Sequence, residues 1–473
     1  MRAFTFKGLF LTAVFMLLGC LTIQAADDDL ITKQITIKLD EAGTLPDRIG
    51  SSRKYQITNL KLVGEINGTD LRMIREMAGS DYYGGSTEGN LSVLDLSEAK
   101  IVIGGGDCFN GYSCYTSNDV IGNRAFSGCS RLTSLTLPAS ITRIGDDAFC
   151  CCSGLTSLTL PAGITEIGYG AFWGCSGLTS LNLPAGITSI GDDAFYGCSG
   201  LTSITLPAGI TEISGSAFNG CSRLTSLNLP AGITSIGDDA FYGCSGLTSI
   251  TLPAGITEIS GSAFGFCSGL TSINLPAGIT SIGEYAFYGC SGLTSVTLPA
   301  GITEIGECAF YGCSGLTSLT LPAGLTQIDD YAFSECSGLT SMYVYAEKVP
   351  KIGEDVFTGC DAKKCTVYVP KGTYDDYWLS DFGYFENIVE FDATGIDKTT
   401  TSTDVKEVSR YSVNGQRLVG PTKGLNIVKY SDGSVKKVAV EIDGSQNLKS
   451  QYLRITNHRV TVRKKRISLS EHL

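Results

Sequence analysis

The sequence predicts a solenoid of short parallel β-strands with irregular or 3₁₀ returns, and three observations support this fold class. Ten successive units begin at a leucine every 23 residues, from Leu132 to Leu339, and such a period is typical of solenoids. Apolar residues recur in each unit in the pattern L-x-x-[LIV]-x-L-P-x-x-[IL]-x-x-[IL]-x-x-x-A-F-x-x-C. In nine units a proline follows the strand, and proline cannot donate to a sheet ladder, so it marks a corner.

The unit at residues 178–200 shows what each turn is expected to contain. Residues 178–183 predict a strand that ends at Pro184, and two isoleucines on the return are expected to point inward. Residues 192–195 predict a short helical or 3₁₀ segment. One unit cannot bury its own leucine, isoleucine and phenylalanine, but stacked units bury them in continuous columns, with strands about 4.8 Å apart.

The strand motif L-x-x-L-x-L and the return motif I-G-x-x-A-F-x-G-C-S resemble the BspA-type leucine-rich repeats found in surface proteins of gut and oral anaerobes. The resemblance covers all ten units. It implies a curved, right-handed leucine-rich-repeat solenoid that is displayed on a bacterial cell or released from it. It also implies adhesion to host matrix proteins or to other cells, a role that no individual residue specifies.

Residues 1–25 predict a secretory signal peptide, because two basic residues precede an apolar run at residues 9–18. Two processing sites fit the sequence: cleavage after Ala25, or a lipoprotein-type site that would attach a lipid anchor to Cys20. No other segment is apolar for long enough to span a bilayer, so no transmembrane span is expected in the mature chain. We therefore expect a secreted protein or one held on the outer cell surface.

The chain before the regular units predicts an N-terminal cap region at residues 26–90. Within it, residues 55–62 alternate like a strand and residues 70–77 resemble a short amphipathic helix. Residues 91–96 already have the strand spacing of the repeat, so the array is predicted at residues 91–341, regular from Leu132, with an insertion at residues 104–118.

The chain after the array predicts a C-terminal capping repeat at residues 342–391, whose aromatic residues, including Trp378, cover the last turn. A polar, Thr-rich linker follows at residues 392–410. The solenoid is therefore expected to be capped at both ends.

Residues 411–440 predict a small C-terminal β module, an antiparallel meander with turns at Asn414-Gly415 and Asp432-Gly433. The module resembles the C-terminal secretion-associated domains of the same bacterial group. Such domains normally finish near the position of Val440. Here a basic tail follows at residues 441–473, which puts a terminal sorting signal in doubt.

The composition argues against catalysis. Both histidines, His458 and His472, lie in the basic tail, so the array has none for a triad or a His-rich metal site. No phosphate loop, zinc spacing or nucleophile elbow is present. Residues 178–218 are identical to residues 224–264, and such uniformity argues against a pocket that needs different residues on different turns. We expect no enzyme activity, no catalytic or cofactor-binding residue and no cofactor.

Adjacent acids recur at one position of several units, as in Asp192-Asp193 and Asp238-Asp239. They could hold Ca²⁺ through oxygen ligands, but acids at the start of a helical segment also favour its dipole, so no metal site is assigned. Residues 129–341 contain 15 acidic and three basic residues. Nucleic acid is therefore not an expected partner, because phosphate binding requires cations.

Eighteen cysteines in a secreted chain would ordinarily indicate a disulfide framework. Ten of them occupy one repeat position: Cys129, Cys152, Cys175, Cys198, Cys221, Cys244, Cys267, Cys290, Cys313 and Cys336. We interpret this column as buried free thiols that act as small hydrophobes, since pairing them would force the turns into alternating short and long steps. Cys108 with Cys114, and Cys360 with Cys365, lie outside the column and are the candidate disulfides.

The strand residues between the buried leucines are threonine, serine and asparagine almost without variation, and they form the candidate binding face. Its representative residues are Thr179, Ser180, Asn182, Thr225, Ser226, Asn228, Thr271, Ser272 and Asn274. A threonine-rich plane can bind ice, but the mixture with serine and asparagine favours a solvated sheet. We expect a monomeric, non-catalytic adhesin that contacts host or bacterial surface macromolecules, with a carbohydrate-binding or scaffolding protein of the outer surface as the alternative.

Overall fold

The structure is a computed structural model that describes residues 30–110 and 115–393, together with the backbone of four strands between residues 407 and 440. The chain divides into two compact units, Met1–Gly395 and Ile396–Leu473. The predicted signal peptide with both of its processing sites, Cys114 and the basic tail lie outside the described residues.

The first unit is a solenoid in which each turn contributes one strand to the same side of the coil. In the part that the structure describes, neighbouring strands pair in parallel and in sequence order, in one sheet of seven strands and one of eight. The first sheet comprises Ile35–Leu39, Asn59–Ile66, Val93–Ile101, Ser134–Thr136, Ser157–Thr159, Ser180–Asn182 and Ser203–Thr205. The second comprises Ser226–Asn228, Ser249–Thr251, Ser272–Asn274, Ser295–Thr297, Ser318–Leu321, Ser341–Val344, Thr366–Pro370 and Asn387–Phe391. The predicted parallel-strand solenoid is confirmed.

A second set of strands, two residues each, lies on the return of the coil. These strands form parallel sheets of four, two and five strands. They are Val120–Ile121, Arg143–Ile144, Glu166–Ile167, Ser189–Ile190, Glu212–Ile213, Ser235–Ile236, Glu258–Ile259, Ser281–Ile282, Glu304–Ile305, Gln327–Ile328 and Lys351–Ile352. The second residue of each, isoleucine throughout this set, packs on the core, and it is buried in all but the last turn, where it is half-buried.

The solenoid begins earlier than the sequence predicts. Strand Ile35–Leu39 pairs in parallel with Asn59–Ile66, which pairs with Val93–Ile101, so two turns precede the one expected to be first. The period is hidden because the paired residues Ile35, Leu60, Leu94 and Leu135 are 25, 34 and 41 residues apart instead of 23.

Short helices occur only near the two ends of the described solenoid: Leu45–Ile49, Gly68–Met77, Tyr374–Trp378 and the 3₁₀ helix Asp381–Tyr384. The predicted amphipathic helix is therefore confirmed, with two more residues at its start. Its capping box is built by Asn67 and Asp70, and the Asp70 carboxylate also accepts hydrogen bonds from the N–H groups of Gly43 and Leu45. These bonds fix the helix against the preceding loop.

At the C-terminal end, aromatic side chains cover the last turns. Phe382 and Phe385 each pack 5.1 Å from the ring of Phe357, and the fully buried Tyr377 donates its hydroxyl hydrogen bond to the carbonyl oxygen of Ala346 at 2.7 Å. Trp378 packs on the core while half-buried.

The returns contain no helical segment where the sequence predicts one at residues 192–195; they are series of turns. The segment forms turns instead of a helix because successive N–H groups donate to acceptors in different turns of the solenoid. The N–H groups of Asp193 and Phe195 donate to the carbonyl oxygens of Gly215 and Ala217 in the next turn, whereas that of Ala194 donates back to Gly191. Because Asp193 has a φ of 56°, the segment cannot continue as a regular helix.

The phenylalanines form a continuous stack inside the solenoid. Rings of successive turns have centroids 5.1 to 6.3 Å apart and planes within 13° of parallel. The stack comprises Phe126, Phe149, Phe172, Phe195, Phe218, Phe241, Phe264, Phe287, Phe310, Phe333 and Phe357. An interior ring therefore has aromatic partners on both faces, and neither face meets water.

The cysteine column is buried and carries free thiols. The sequence predicts that these cysteines act as small hydrophobic residues, and the structure adds a hydrogen bond. Each thiol from Cys152 to Cys336 donates to the carbonyl oxygen of the phenylalanine in the preceding turn, at 3.0 to 3.3 Å. The column therefore satisfies a buried carbonyl in every turn.

The predicted pairing of Cys360 with Cys365 is wrong, since both are buried free thiols. Cys360 belongs to the column, because its Sγ donates to the carbonyl oxygen of Phe333 at 3.3 Å. The spacing from Cys336 is 24 residues rather than 23, which conceals its place in the repeat. Cys108 is disulfide-bonded, and its predicted partner Cys114 lies outside the described residues.

The second unit contains a four-stranded antiparallel sheet in the order Arg417–Leu418, Glu407–Ser412, Gly424–Tyr430 and Val435–Val440. The predicted antiparallel module is therefore confirmed, although its first strand begins inside the predicted linker. Both predicted turns lie outside the described residues. Across the described parts of both units, no helix has the length and apolar composition to cross a membrane.

We expect Phe241→Ala to lower the free energy of unfolding by about 3–5 kcal/mol, because it leaves a cavity between two rings of the stack. Urea unfolding followed by circular dichroism measures this change. The control is Tyr331→Ala, which removes a ring of similar size that is 37% exposed and should change stability by about 0.5 kcal/mol or less. Equal effects of the two substitutions would contradict the structural role of the stack.

The column should also make the solenoid sensitive to alkali. Burial raises the pKa of the Cys198 thiol to about 12, above its value in the unfolded chain. The stabilising contribution is therefore complete below about pH 9 and is lost as the pH rises towards about 12. When the pH rises from about 8 to about 11, the free energy of unfolding should fall less in Cys198→Ser than in the native chain. The two decreases should differ by up to about 3 kcal/mol.

Urea midpoints at the two pH values measure this difference. Ser180→Ala is the control, because Ser180 is exposed and does not titrate in this range, so its replacement should leave the pH dependence of the native chain unchanged. A Cys198→Ser profile parallel to the native one would show that thiol burial does not control alkaline stability.

Candidate binding face

The strand face, defined as the solvent side of the parallel strands from Ser134–Thr136 to Ser341–Val344, is a polar surface. The strands of adjacent turns are in register, so that Ser180 lies beside Ser203 and Asn182 beside Thr205. The same side chains therefore form straight rows along the coil: one of threonine, one of serine and one of threonine or asparagine. From Leu132 to Leu339 these rows contain no charged residue.

All nine predicted face residues are exposed, and the structure brings them onto this one face. The threonine row is partly used by the fold, because the hydroxyls of Thr179 and Thr271 donate to the carbonyl oxygens of the threonines one turn back, at 3.4 Å.

The serine and asparagine side chains of the predicted face differ from that row. Those of Ser180, Asn182, Ser226, Asn228, Ser272 and Asn274 make no hydrogen bond with the described residues. These two rows therefore offer hydroxyl and amide groups to a partner.

The N-terminal end of the solenoid is charged instead. Lys61 continues the row of Thr136 through Asp95, and its Nζ lies 3.5 Å from the carboxylate of Asp95 and 2.6 Å from that of Glu98. The hydrogen bond to Glu98 raises the pKa of the Lys61 ammonium group. These ion pairs mark the boundary of the uncharged face.

The C-terminal end of the face is aromatic. Tyr343 and Tyr368 continue the row of Thr320, and their rings stack with centroids 4.5 Å apart and planes 6° from parallel. Phe391 packs edge-on against the rings of Tyr343 and Tyr345. Because Tyr368 covers one face of the Tyr343 ring, the other face is directed along the row towards the short side chain of Thr320. The polar rows of the strand face thus end at the aromatic ring of Tyr343.

We call the series of turns before each column cysteine, residues 192–197 in one unit, the corner turn. The recurrent acids lie on this corner turn, away from the strand face, and they have a structural role. Asp192 Oδ1 accepts a hydrogen bond from the N–H of Gly215 in the next turn at 2.9 Å, and Asp238 accepts the equivalent bond from Gly261. The predicted role at the start of a helical segment is wrong, because these carboxylates cap the backbone of a neighbouring turn. Among the described residues, no group of three or more His, Cys, Asp or Glu side chains has a metal-binding arrangement.

The corner turn also carries aromatic residues that were not singled out from the sequence, and they are half-buried except for the exposed Phe266. Trp173 packs on Tyr196 at 4.5 Å, and Phe266 lies between Tyr242 and Tyr288 at 5.3 and 5.1 Å. Their recurrence two residues before the column cysteine, or one residue before it for Phe266, is visible in the sequence and could have identified this row.

A family model describes the array. The model of the BspA-type leucine-rich repeat region matches residues 108–223, 167–280 and 257–375, with six copies of the repeat unit. These matches together cover more than half of the chain. The chain belongs to the BspA-type leucine-rich repeat family. The family resemblance that the strand and return motifs indicate is therefore confirmed.

Solved structures include other proteins similar to this BspA-type chain. A leucine-rich repeat protein from Bacteroides ovatus is 27% identical with a TM-score of 0.39, and the match covers 64% of this chain and 84% of that one. A leucine-rich cell surface protein from Faecalibacterium prausnitzii is 28% identical with a TM-score of 0.36, covering 56% and 86%. No curated protein matches the sequence.

Proposed function

We propose that this BspA-type protein is a non-catalytic binding protein of the bacterial cell surface, an adhesin that contacts host matrix proteins or other cells through its strand face. The proposal rests on the exposure and the polarity of the strand face. Its serine and asparagine rows are exposed, uncharged and without hydrogen-bond partners in the described residues. A surface of this kind suits many weak contacts with an extended partner.

The location is proposed on two grounds: the BspA-type family to which the chain belongs, and the secretory pattern of residues 1–25. A lipid anchor at Cys20 would hold the protein on the membrane, whereas cleavage after Ala25 would release it. The acidic array disfavours nucleic acid as a partner, and we propose that the protein acts as a monomer.

The first test places a bulky charge on the strand face. Ser180→Glu with Ser226→Glu should weaken binding to immobilised matrix proteins by roughly tenfold or more, because both positions lie in the proposed contact. The full-length chain is compared with this variant by biolayer interferometry on collagen and fibronectin.

The matched control is Ser189→Glu with Ser235→Glu. These serines belong to the same two turns and are equally exposed, but they lie in the two-residue strands of the return. They add the same charge and should leave binding unchanged. Equal loss in both variants, or binding no stronger than that of an unrelated acidic repeat protein, would refute the adhesin proposal.

The second candidate function is carbohydrate binding, and the aromatic end of the strand face favours it. Sugar rings present apolar C–H groups that pack on aromatic faces, and their hydroxyls pair with neutral hydroxyl and amide groups. Tyr343 supplies the ring face and the neighbouring serine and threonine rows supply the polar groups. Burial raises the pKa of Tyr343, so its hydroxyl stays protonated at neutral pH.

On a panel of neutral oligosaccharides, Tyr343→Ala should reduce binding roughly tenfold, the equivalent of about 1.4 kcal/mol. Tyr343→Trp should restore it, because an aromatic face is again present. The control Tyr331→Ala removes an exposed tyrosine of the corner turn and should have no effect. Binding of sugars that is indifferent to Tyr343 would exclude this site.

A further inference from the structure

Cys150 and Cys151 are the described cysteines that reach solvent. Cys151 is exposed and Cys150 is half-buried, whereas the other described cysteines are buried. The column position of this turn is already filled by Cys152, whose thiol binds the carbonyl oxygen of Phe126. Other turns have residues such as Tyr196-Gly197 at the two corresponding positions. Packing therefore does not require either thiol.

The corner turn brings the two thiols together. Their Sγ atoms are 3.4 Å apart, so closing an S–S bond of about 2.05 Å requires the two sulfur atoms to approach by roughly 1.4 Å. Cys151 has a φ of 60°, and its N–H donates to the carbonyl oxygen of Trp173 in the next turn at 2.6 Å. The solenoid thus holds in place the backbone that an S–S bond between these two residues would strain.

The two thiols differ in reactivity. Burial raises the pKa of Cys150 to about 12, and its hydrogen bond with Cys151 and the charge of Asp147 add to this effect. Cys150 is therefore protonated near neutral pH, and the exposed Cys151 is the thiol that an external reagent reaches first. This order assigns Cys151 as the attacking thiol and Cys150 as the resolving thiol.

We infer that Cys150 and Cys151 form a reversible redox site, at which a small-molecule disulfide oxidises the pair to a disulfide between adjacent residues. The Cys151 thiolate attacks one sulfur of the small disulfide, forms a mixed disulfide and releases one thiolate. Cys150 then gives its proton to solvent, and its sulfur displaces the second thiolate. The two protein thiols lose two electrons and two protons, which reduce the small disulfide to two thiols.

The product should be easily reduced again. The Cα atoms of adjacent residues are about 3.8 Å apart, shorter than the usual separation of disulfide-linked residues, so the bond is strained. Strained, exposed disulfides have more oxidising potentials than structural ones. The site lies on the corner turn and does not depend on binding by the strand face.

The test incubates the folded full-length chain with excess glutathione disulfide, alkylates accessible thiols and maps the peptides by mass spectrometry. Cys150 and Cys151 should together escape alkylation, their peptide should lose two hydrogens and retain no glutathione, and dithiothreitol should restore both thiols. Circular dichroism confirms that the fold is kept throughout.

Two variants separate the roles of the thiols. Cys150→Ser should trap glutathione on Cys151, because the resolving thiol is missing, whereas Cys151→Ser should leave Cys150 reduced and free of glutathione. The proposal would be overturned if the native chain kept glutathione on Cys151 as stably as Cys150→Ser does. Disulfide-linked dimers through Cys151, or two thiols that remain fully alkylated after the incubation, would also overturn it.

Discussion

Hydrogen bonding of each turn to the next through the backbone is the constraint on which the solenoid depends. On the strand side, the N–H of Thr202 donates to Thr179 of the preceding turn, and on the return side that of Phe195 donates to Ala217 of the following turn. Every turn is thus both donor and acceptor for its neighbours. Any residue that changes the backbone path must do so at the same place in each turn, and this requirement explains why the sequence is so uniform.

The same constraint gives a physical reason why residues 178–218 recur unchanged two turns further along, at residues 224–264. Asp192 and Asp238 each accept a hydrogen bond from a glycine N–H one turn ahead. Those turns carry a serine beside the glycine, and the hydroxyls of Ser214 and Ser260 donate back to carbonyl oxygens of the Asp-bearing turns. The two kinds of turn are therefore complementary, and alternating copies preserve both bonds.

The interior and the surface of the solenoid follow different rules. Inside, the phenylalanine stack repeats because each ring packs on the ring of the next turn. The cysteine column repeats because each thiol donates to a backbone carbonyl oxygen of the preceding turn. On the strand face the serine and asparagine side chains have no such partner among the described residues, so packing does not fix their identity. The ends differ again, with ion pairs around Lys61 and aromatic rings around Tyr343.

The sequence by itself determined the solenoid, its period, the buried columns and the polar strand face, because a 23-residue repeat with fixed apolar positions has one way to bury them. Only the tertiary structure showed the two irregular first turns and the membership of Cys360 in the column. It also showed that the segments predicted as helical are turns with a positive φ at residues such as Asp193. It also showed the 3.4 Å approach of Cys150 and Cys151. These features depend on contacts between successive turns, and a contact between turns is set by the backbone path, which spacing along the chain does not specify.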